Sequence, residues 1–244
     1  MSYSPTLALG TAVFEIVVAG WAFGHARARG RGERAVPLTT GLILLLLAGY
    51  QITEIAICAD VASAGFLPRL AFILVTWLPP LGMLLIAQLC GAGSWTRYIL
   101  AGLALAAGAG VVSWIALDGS FAHASVCNAV YARYTHVPAR FMWYGAYYWL
   151  GLLGMLGVSG HALLNRQLRE SVTGLAHVHL GTLGFIVPSL VVSYYVPATR
   201  HALPSVLCHF ALILALALTH MLWERRAESS DAAELTNSSP GATI

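Results

Sequence analysis

One apolar stretch of the chain carries a row of polar side chains that could do acid–base chemistry. Gln51, Glu54 and Cys58 are spaced i, i+3 and i+7, so they share one face of a helix. An ionisable group inside the hydrocarbon region of a membrane costs about 2.5–3.5 kcal/mol, and such groups usually face the interior of a helix bundle. A carboxyl group there suits a proton donor or acceptor, or a metal ligand. The simpler alternative is that Glu54 only hydrogen-bonds a neighbouring helix.

The last apolar stretch carries a second polar group. Ser205 and His209 are four residues apart on one helical face, and Cys208 adjoins them. We expect His209 to meet Glu54 at a common depth inside a helix bundle, which makes this pair the candidate catalytic residues. Gln51, Ser205 and Cys208 are the candidate ligand-binding residues beside them. The alternative is that Ser205 and His209 only join helices through hydrogen bonds.

Further histidines fall near the opposite ends of the apolar stretches: His161, His177, His179 and His220. Imidazole is a common metal ligand and an axial ligand of haem. His209 and His220 lie eleven residues apart on nearly the same helical face, a spacing similar to that of two stacked bis-histidine haem sites. No CxxCH or HxxxH motif accompanies them, and histidines near helix ends more often have interfacial roles. We assign no metal ligand, and the cofactor is unknown from the sequence.

An aromatic run covers residues 141–149 and contains Tyr147. Such a run could line an apolar ligand pocket with hydroxyl groups, so Tyr147 is a candidate ligand-binding residue. The alternative is ordinary helix packing and an interfacial aromatic belt. Glu15 is the remaining acid within an apolar stretch, and no arginine lies at an obvious matching depth.

The composition of the chain indicates the class of protein to which these residues belong. The chain has 244 residues, of which 58% are hydrophobic and only 9% are charged. A soluble domain typically carries about 25% charged residues, so a soluble enzyme, a disordered chain and a nucleic-acid binder are excluded. All 13 basic residues are arginines. Without a lysine, a retinal Schiff base is also excluded.

Seven stretches are long and apolar enough to cross a bilayer, for which about 20 residues suffice. Their expected limits are 6–23, 36–58, 69–89, 98–117, 139–163, 173–195 and 204–223. Backbone groups in lipid must pair within their own segment, so all seven should be α-helices. The sequence therefore predicts an all-α, seven-transmembrane-helix bundle over residues 1–223. Residues 224–244 are polar and small, and we expect a disordered tail there.

The arginines predict the orientation of the bundle. Nine lie in the tail and in the links after the first, third and fifth stretches, and four lie in the other links. Because positive charge accumulates on the cytoplasmic side, we expect the N-terminus outside and the tail in the cytoplasm, with the bundle in the plasma membrane.

The long external link, residues 118–138, contains Cys127 and could close over the outer mouth of the bundle. Cys127 would face the same compartment as Cys58. The two could form a disulfide or remain free thiols, because the sequence contains no information on their separation.

Several short segments, taken together, resemble an uncharacterised family of bacterial multi-pass membrane proteins, a domain of unknown function. They are residues 1–4, 50–54, 77–80, 159–161 and 205–211. The family pattern includes Gln-x-x-Glu on the second span and Ser-x-x-Cys on the last. The chain departs from it at Ser2, where the family tends to have Cys, and at residues 57–58, where a Trp is usual. The resemblance implies a seven-helix bundle, singles out Gln51, Glu54, Ser205 and Cys208, and implies no known activity.

Three functions remain open from the sequence. The first is binding or sensing of a small ligand through a polar centre in the outer half of the bundle. A signal would then pass to a separate cytoplasmic effector, since no effector domain follows the last span. The second is an intramembrane enzyme that uses Glu54 as general acid or base, with or without a histidine-bound metal. The third is a haem-binding electron carrier. The expected partners are the lipid bilayer and a small molecule, and no nucleic acid.

Overall fold

The computed structural model describes residues 5–30, 33–59, 65–91, 95–127, 132–165, 171–196 and 203–237. Within these ranges the helices are α1 (Thr6–Ala28), α2 (Ala35–Cys58), α3 (Phe66–Thr76), α4 (Leu78–Leu89), α5 (Trp95–Leu117), α6 (Pro138–Leu164), α7 (Val172–Tyr195) and α8 (Leu203–Asn237). The strands β1 (Ala122–Cys127) and β2 (Ala132–His136) lie between α5 and α6. In this part of the chain, seven helical segments are long and apolar enough to cross a membrane, with α3 and α4 forming one of them. The prediction of a seven-helix membrane protein is confirmed at this level.

The helices pack in an order that brings α2 and α8 together. α1 packs along α2, and α7 packs along α8, while α8 also contacts both α1 and α2. The α3–α4 segment is the most buried of the seven, with α2, α5 and α6 around it. This arrangement places the polar faces of α2 and α8 opposite each other, inside the bundle.

The third span is interrupted at Trp77, between α3 and α4. Pro80 has no N–H, so the carbonyl of Thr76 has no partner in the helical ladder. The hydroxyl of Tyr147 on α6 donates to that carbonyl at 2.9 Å. The two short helices therefore continue as a single span, with the freed backbone acceptor satisfied by a neighbouring helix.

The link between α5 and α6 forms an antiparallel hairpin, which was not predicted. The β1–β2 register pairs Cys127 with Ala132 and Ser125 with Tyr134. Phe121, at the start of this link, and Tyr134 are buried against the ring of Phe72 on α3. The all-α prediction holds for the spans, but aromatic burial and backbone pairing order this link as a two-stranded sheet. We call this end of the bundle the hairpin end.

A disulfide joins the hairpin to α2. Cys58, the last residue of α2, is bonded to Cys127 of β1, with a Cα–Cα distance of 5.6 Å. The choice between a bridge and two free thiols is therefore resolved in favour of the bridge. It fixes the hairpin within one turn of Glu54.

The last helix is longer than expected. α8 continues to Asn237, whereas the sequence placed the end of the span near Trp223 and a disordered tail from Glu224. Residues 224–237 are helical because alanine, glutamate and arginine favour helix, and extending an existing helix avoids the cost of nucleation. Residues 238–244 lie outside the described ranges.

Candidate functional site

A polar centre lies where α2 and α8 meet near the hairpin end. The Ser205 hydroxyl donates to Glu54 Oε1 at 2.7 Å, and both side chains are completely buried. Burial of a carboxyl group away from water is costly unless hydrogen bonds compensate it. The Ser205–Glu54 hydrogen bond compensates part of this cost and connects α2 to α8 at this depth.

The hairpin supplies a third member of this centre. The backbone N–H of Ala132, at the start of β2, donates to the Ser205 hydroxyl oxygen at 3.2 Å. A chain of hydrogen bonds thus runs from the hairpin backbone through Ser205 to Glu54. Ala132 pairs with Cys127, so the disulfide and this chain connect the same part of the hairpin to α2.

Gln51 lies one turn of α2 away from Glu54 and makes a second link to α8. Its amide nitrogen donates to the backbone carbonyl of Cys208 at 2.7 Å. The side chains of Gln51 and Cys208 are buried, and Cys208 is a free thiol. The structure therefore brings together four of the predicted residues: Gln51, Glu54, Ser205 and Cys208.

Several buried oxygen atoms around this centre have no hydrogen-bond partner. They are Glu54 Oε2, Gln51 Oε1 and both carboxyl oxygens of Glu15, which lies completely buried on α1. Leaving a buried polar atom unpaired costs about 1–3 kcal/mol, and more when it is charged. When the carboxyl groups are ionised, these oxygens are acceptors near the α1, α2 and α8 interfaces, and they favour a group that carries donors; a protonated carboxyl group would itself offer a donor.

Two tyrosines that sequence analysis did not select add a further link to the hairpin. Tyr50 on α2 and Tyr134 on β2 are buried, and their hydroxyl oxygens lie 3.2 Å apart. Tyr50 directly precedes Gln51, so its place beside a candidate residue was a signal that the sequence offered. Tyr134 and the Ala132 amide carried no comparable signal, because no hairpin was predicted.

His209 lies close enough to Glu54 for an electrostatic interaction, but in the described part of the chain the two side chains form no hydrogen bond or ion pair. Its Nδ1 donates to the carbonyl of Ser205 at 2.7 Å, one turn back on the same helix, and the ring is half-buried. Residues four apart on a helix are neighbours, so the imidazole N–H finds its hydrogen-bond acceptor on its own helix. The direct partner of the Glu54 carboxyl is Ser205.

Tyr147 also lies outside the polar centre. Its hydroxyl is used at the break between α3 and α4, where it donates to Thr76, and it contacts α5 at Gly108. The prediction that Tyr147 binds a ligand in an apolar pocket is separate from the polar centre, and these contacts of its hydroxyl do not test it.

An apolar cleft adjoins the polar centre between α3, α6 and α8. Its free volume is about 50 Å³. Its lining includes Val75, Phe141, Tyr144, Tyr148, Leu207 and Cys208. Cys208 belongs to both the cleft and the polar centre, so an apolar group in the cleft would lie next to the buried acceptors.

An ionic cluster lies at the base of the hairpin, where Asp118 and Ser120 follow α5 and Arg140 lies in the first turn of α6. Asp118 accepts hydrogen bonds from the Ser120 hydroxyl at 2.6 Å and the Ser120 N–H at 3.0 Å, and it pairs with Arg140 at the start of α6. The hydroxyl of Ser120, followed by its N–H and the Arg140 guanidinium, holds the pKa of Asp118 below its ordinary value of 3.8. Arg140 also donates to the Ser120 hydroxyl.

Three of the four predicted histidines lie in two places at the other end of the bundle, and the fourth, His161 on α6, is exposed. His177 on α7 and His220 on α8 come into contact, with Glu224 beside them. His179 points elsewhere, and its Nδ1 lies 2.8 Å from the Ser159 hydroxyl on α6. Glu224 was assigned to the tail by sequence analysis, although its i+4 spacing from His220 was a signal for a shared helical face.

The chain matches no protein-family model and no curated protein. The function must therefore be argued from the geometry of the chain itself.

Proposed function

We propose that this membrane protein binds or senses a small ligand at the polar centre formed by Gln51, Glu54, Ser205 and Cys208. The observation that carries the proposal is the set of buried, unpartnered oxygens beside the Ser205–Glu54 hydrogen bond. A ligand with hydrogen-bond donors would satisfy these acceptors, and a cationic donor such as an ammonium group would also balance an ionised Glu54. An apolar part of the ligand would fit the adjoining cleft.

We further propose that the hairpin end faces outward, in a bacterial plasma membrane. The distribution of arginines supports this orientation. The Cys58–Cys127 disulfide supports it independently, because disulfides persist in oxidising compartments outside the cytoplasm. The resemblance to an uncharacterised bacterial family agrees with the same assignment and adds no activity.

A sensing role follows from what the centre connects. Ser205 is hydrogen-bonded both to α2 and to the hairpin, and it lies on α8, which extends to Asn237. A ligand that binds between these elements would shift the position of α8 if it binds one arrangement of the helices more tightly than another, and the shift is limited by that difference in affinity. The extension of α8 beyond the spans would then present that change to a separate cytoplasmic partner.

The enzymatic alternative uses the same Ser205–Glu54 pair as a hydroxyl and its base. Both residues are completely buried, and the oxygen of Ser205 is already engaged by Ala132. Glu54 Oε1 is within hydrogen-bond reach of the Ser205 proton, as a general base must be, but the Ser205 oxygen that would attack a substrate accepts from the Ala132 N–H. Binding needs no such attack, and it is therefore the function that we propose first.

The test measures the thermal-unfolding midpoint of the purified protein in detergent against a panel of primary amines, amino acids and polyols. We expect at least one compound to raise the midpoint of the wild type and to have no effect on Glu54→Gln. The matched control is Glu33→Gln, the same chemical change at an exposed acid at the other end of the bundle. Glu54→Gln keeps an acceptor for Ser205, so without ligand its midpoint should equal that of the wild type.

Two results would contradict the proposal. One is a compound that stabilises Glu54→Gln as strongly as the wild type, which would locate binding elsewhere. The other is a lower midpoint for Glu54→Gln with no stabilising compound for either protein, which would make Glu54 only a link between helices.

A further inference from the structure

A second cluster of ionisable side chains lies at the end of the bundle away from the hairpin. It consists of His177 on α7 and His220 and Glu224 on α8, and we call it the His–His–Glu cluster. Their ligand atoms all lie within 4.8 Å of one another. His220 Nδ1 is 2.8 Å from His177 Nε2 and 3.5 Å from Glu224 Oε1. Two imidazoles and a carboxylate therefore converge from two helices.

The backbone fixes the orientation of the first imidazole. His177 Nδ1 lies 2.7 Å from the carbonyl of Thr173, so Nδ1 carries the proton and donates it. Its Nε2 is then the nitrogen with a free lone pair, and it is the atom that faces His220. Histidines that bind metals usually donate the other ring N–H to a carbonyl or carboxylate in this way, which fixes the tautomer and raises the basicity of the ligating nitrogen.

We propose that the His–His–Glu cluster binds one divalent transition-metal ion of the Zn²⁺ class. The ligands are His177 Nε2, His220 Nδ1 and the Glu224 carboxylate. Zinc–nitrogen and zinc–oxygen bonds of about 2.0–2.2 Å in a tetrahedron place ligand atoms roughly 3.3–3.5 Å apart. The observed separations are 2.8 Å between His177 Nε2 and His220 Nδ1 and 3.5 Å between His220 Nδ1 and Glu224 Oε1, and all the ligand atoms lie within 4.8 Å, so side-chain shifts on the order of 1 Å would complete the geometry.

The carboxylate is available for this role. Glu224 Oε2 is buried and has no hydrogen-bond partner. The same atom lies 3.6 Å from His177 Nδ1, outside hydrogen-bond distance. A metal ion would use the free carboxylate oxygens and replace the contact between the two imidazoles.

The donor set selects the class of ion. Two imidazole nitrogens and one carboxylate suit zinc and neighbouring first-row metals, whereas Mg²⁺ and Ca²⁺ prefer oxygen ligands. The ring centroids of His177 and His220 are 4.8 Å apart and their nitrogens are in contact, which leaves no space for a porphyrin between them. Three protein ligands leave a fourth position for water or another donor.

The cluster is accessible and is separate from the polar centre. The side chains of His177, His220 and Glu224 are 23%, 60% and 34% exposed, so an ion can enter without opening the bundle. At 1.5 Å per residue, His220 lies about 22 Å along α8 from Ser205. The metal site and the ligand site can therefore be tested independently.

The experiment measures Zn²⁺ bound to the full chain, purified in detergent without a polyhistidine tag. Titration calorimetry and elemental analysis of the desalted protein should give one equivalent for the wild type. We expect His220→Ala and Glu224→Gln each to weaken Zn²⁺ binding at least tenfold. The matched control is His179→Ala, an imidazole two residues from His177 whose partner is Ser159, and it should retain wild-type affinity.

A spectroscopic measurement on the wild type alone tests the site without depending on whether the variants fold. Co²⁺ added to the wild type should produce the visible d–d bands of a four-coordinate site, and Zn²⁺ should remove them. The proposal is overturned if the wild type binds no Zn²⁺ and shows no such bands. It is also overturned if folded Glu224→Gln and His220→Ala bind Zn²⁺ as tightly as the wild type.

Discussion

Replacing Ser205 with alanine should destabilise the fold more than any other single hydroxyl deletion in the spans. The substitution removes the donor to Glu54 at 2.7 Å and the acceptor of the Ala132 N–H at 3.2 Å. An interhelical hydrogen bond in a membrane protein contributes about 0.6 kcal/mol on average and at most about 1.7 kcal/mol. A buried backbone N–H without a partner costs a further 1–3 kcal/mol or so. Together these give a loss of roughly 2–4 kcal/mol in the free energy of unfolding.

The matched control is Ser189→Ala. Ser189 is also completely buried, but its hydroxyl donates to the carbonyl of Phe185 on its own helix, which already accepts a ladder hydrogen bond. Such back-bonding contributes little to a helix, so we expect a loss below about 0.5 kcal/mol. Reversible unfolding in mixed micelles, titrated with SDS and followed by tryptophan fluorescence, measures both. Equal losses for the two variants would show that Ser205 does not connect the hairpin, α8 and Glu54.

Three further predictions concern the rest of the bundle. Cys127→Ser should abolish the difference in gel mobility between reduced and non-reduced protein. It should also lower the free energy of unfolding, by up to about 4 kcal/mol if the unfolded chain behaves as a free random coil. An unchanged mobility difference would contradict the disulfide. Gly151→Ala should cost about 1–3 kcal/mol, because its Cβ would lie 2.5 Å from the Cβ of Pro79, a rigid ring, whereas Gly157→Ala on the same helix meets nothing within 4 Å and should not destabilise. Asp118→Asn should lower the thermal-unfolding midpoint at neutral pH. Because the pKa of Asp118 is depressed in the folded state, the contribution of its charge to stability is present above pH 3.8 and is lost as the pH falls below that value. At such low pH the midpoints of the two proteins should converge.

The composition and the hydropathy pattern alone were enough to predict the class of protein and the seven spans. The reason is that a bilayer imposes one requirement on every spanning segment, an apolar run of sufficient length with its backbone paired internally. The same requirement singles out polar residues within the runs, and for Gln51, Glu54, Ser205 and Cys208 it led to residues that lie together. The resemblance inferred from the sequence singled out the same four, although no family model matches the chain.

Only the tertiary structure decided which partner each of these groups has. Periodicity places a residue on a helical face but does not state how two helices are rotated against each other. Helix rotation and depth therefore decided that the hydrogen bond of Glu54 goes to Ser205 and not to His209, which lies one turn further along α8. The Ala132 amide could not be foreseen at all, since a backbone donor has no sequence signal of its own and the hairpin forms through packing against α3.

The His–His–Glu cluster shows the same division. The sequence contained the i, i+4 spacing of His220 and Glu224, but polarity after residue 223 indicated a tail, so the carboxylate was separated from its histidine. The structure extends α8 and packs it along α7, which brings His177 to within 2.8 Å of His220. Local pattern determines which elements exist and which faces are polar, while contacts between distant residues depend on helix rotation and packing that no short-range pattern specifies.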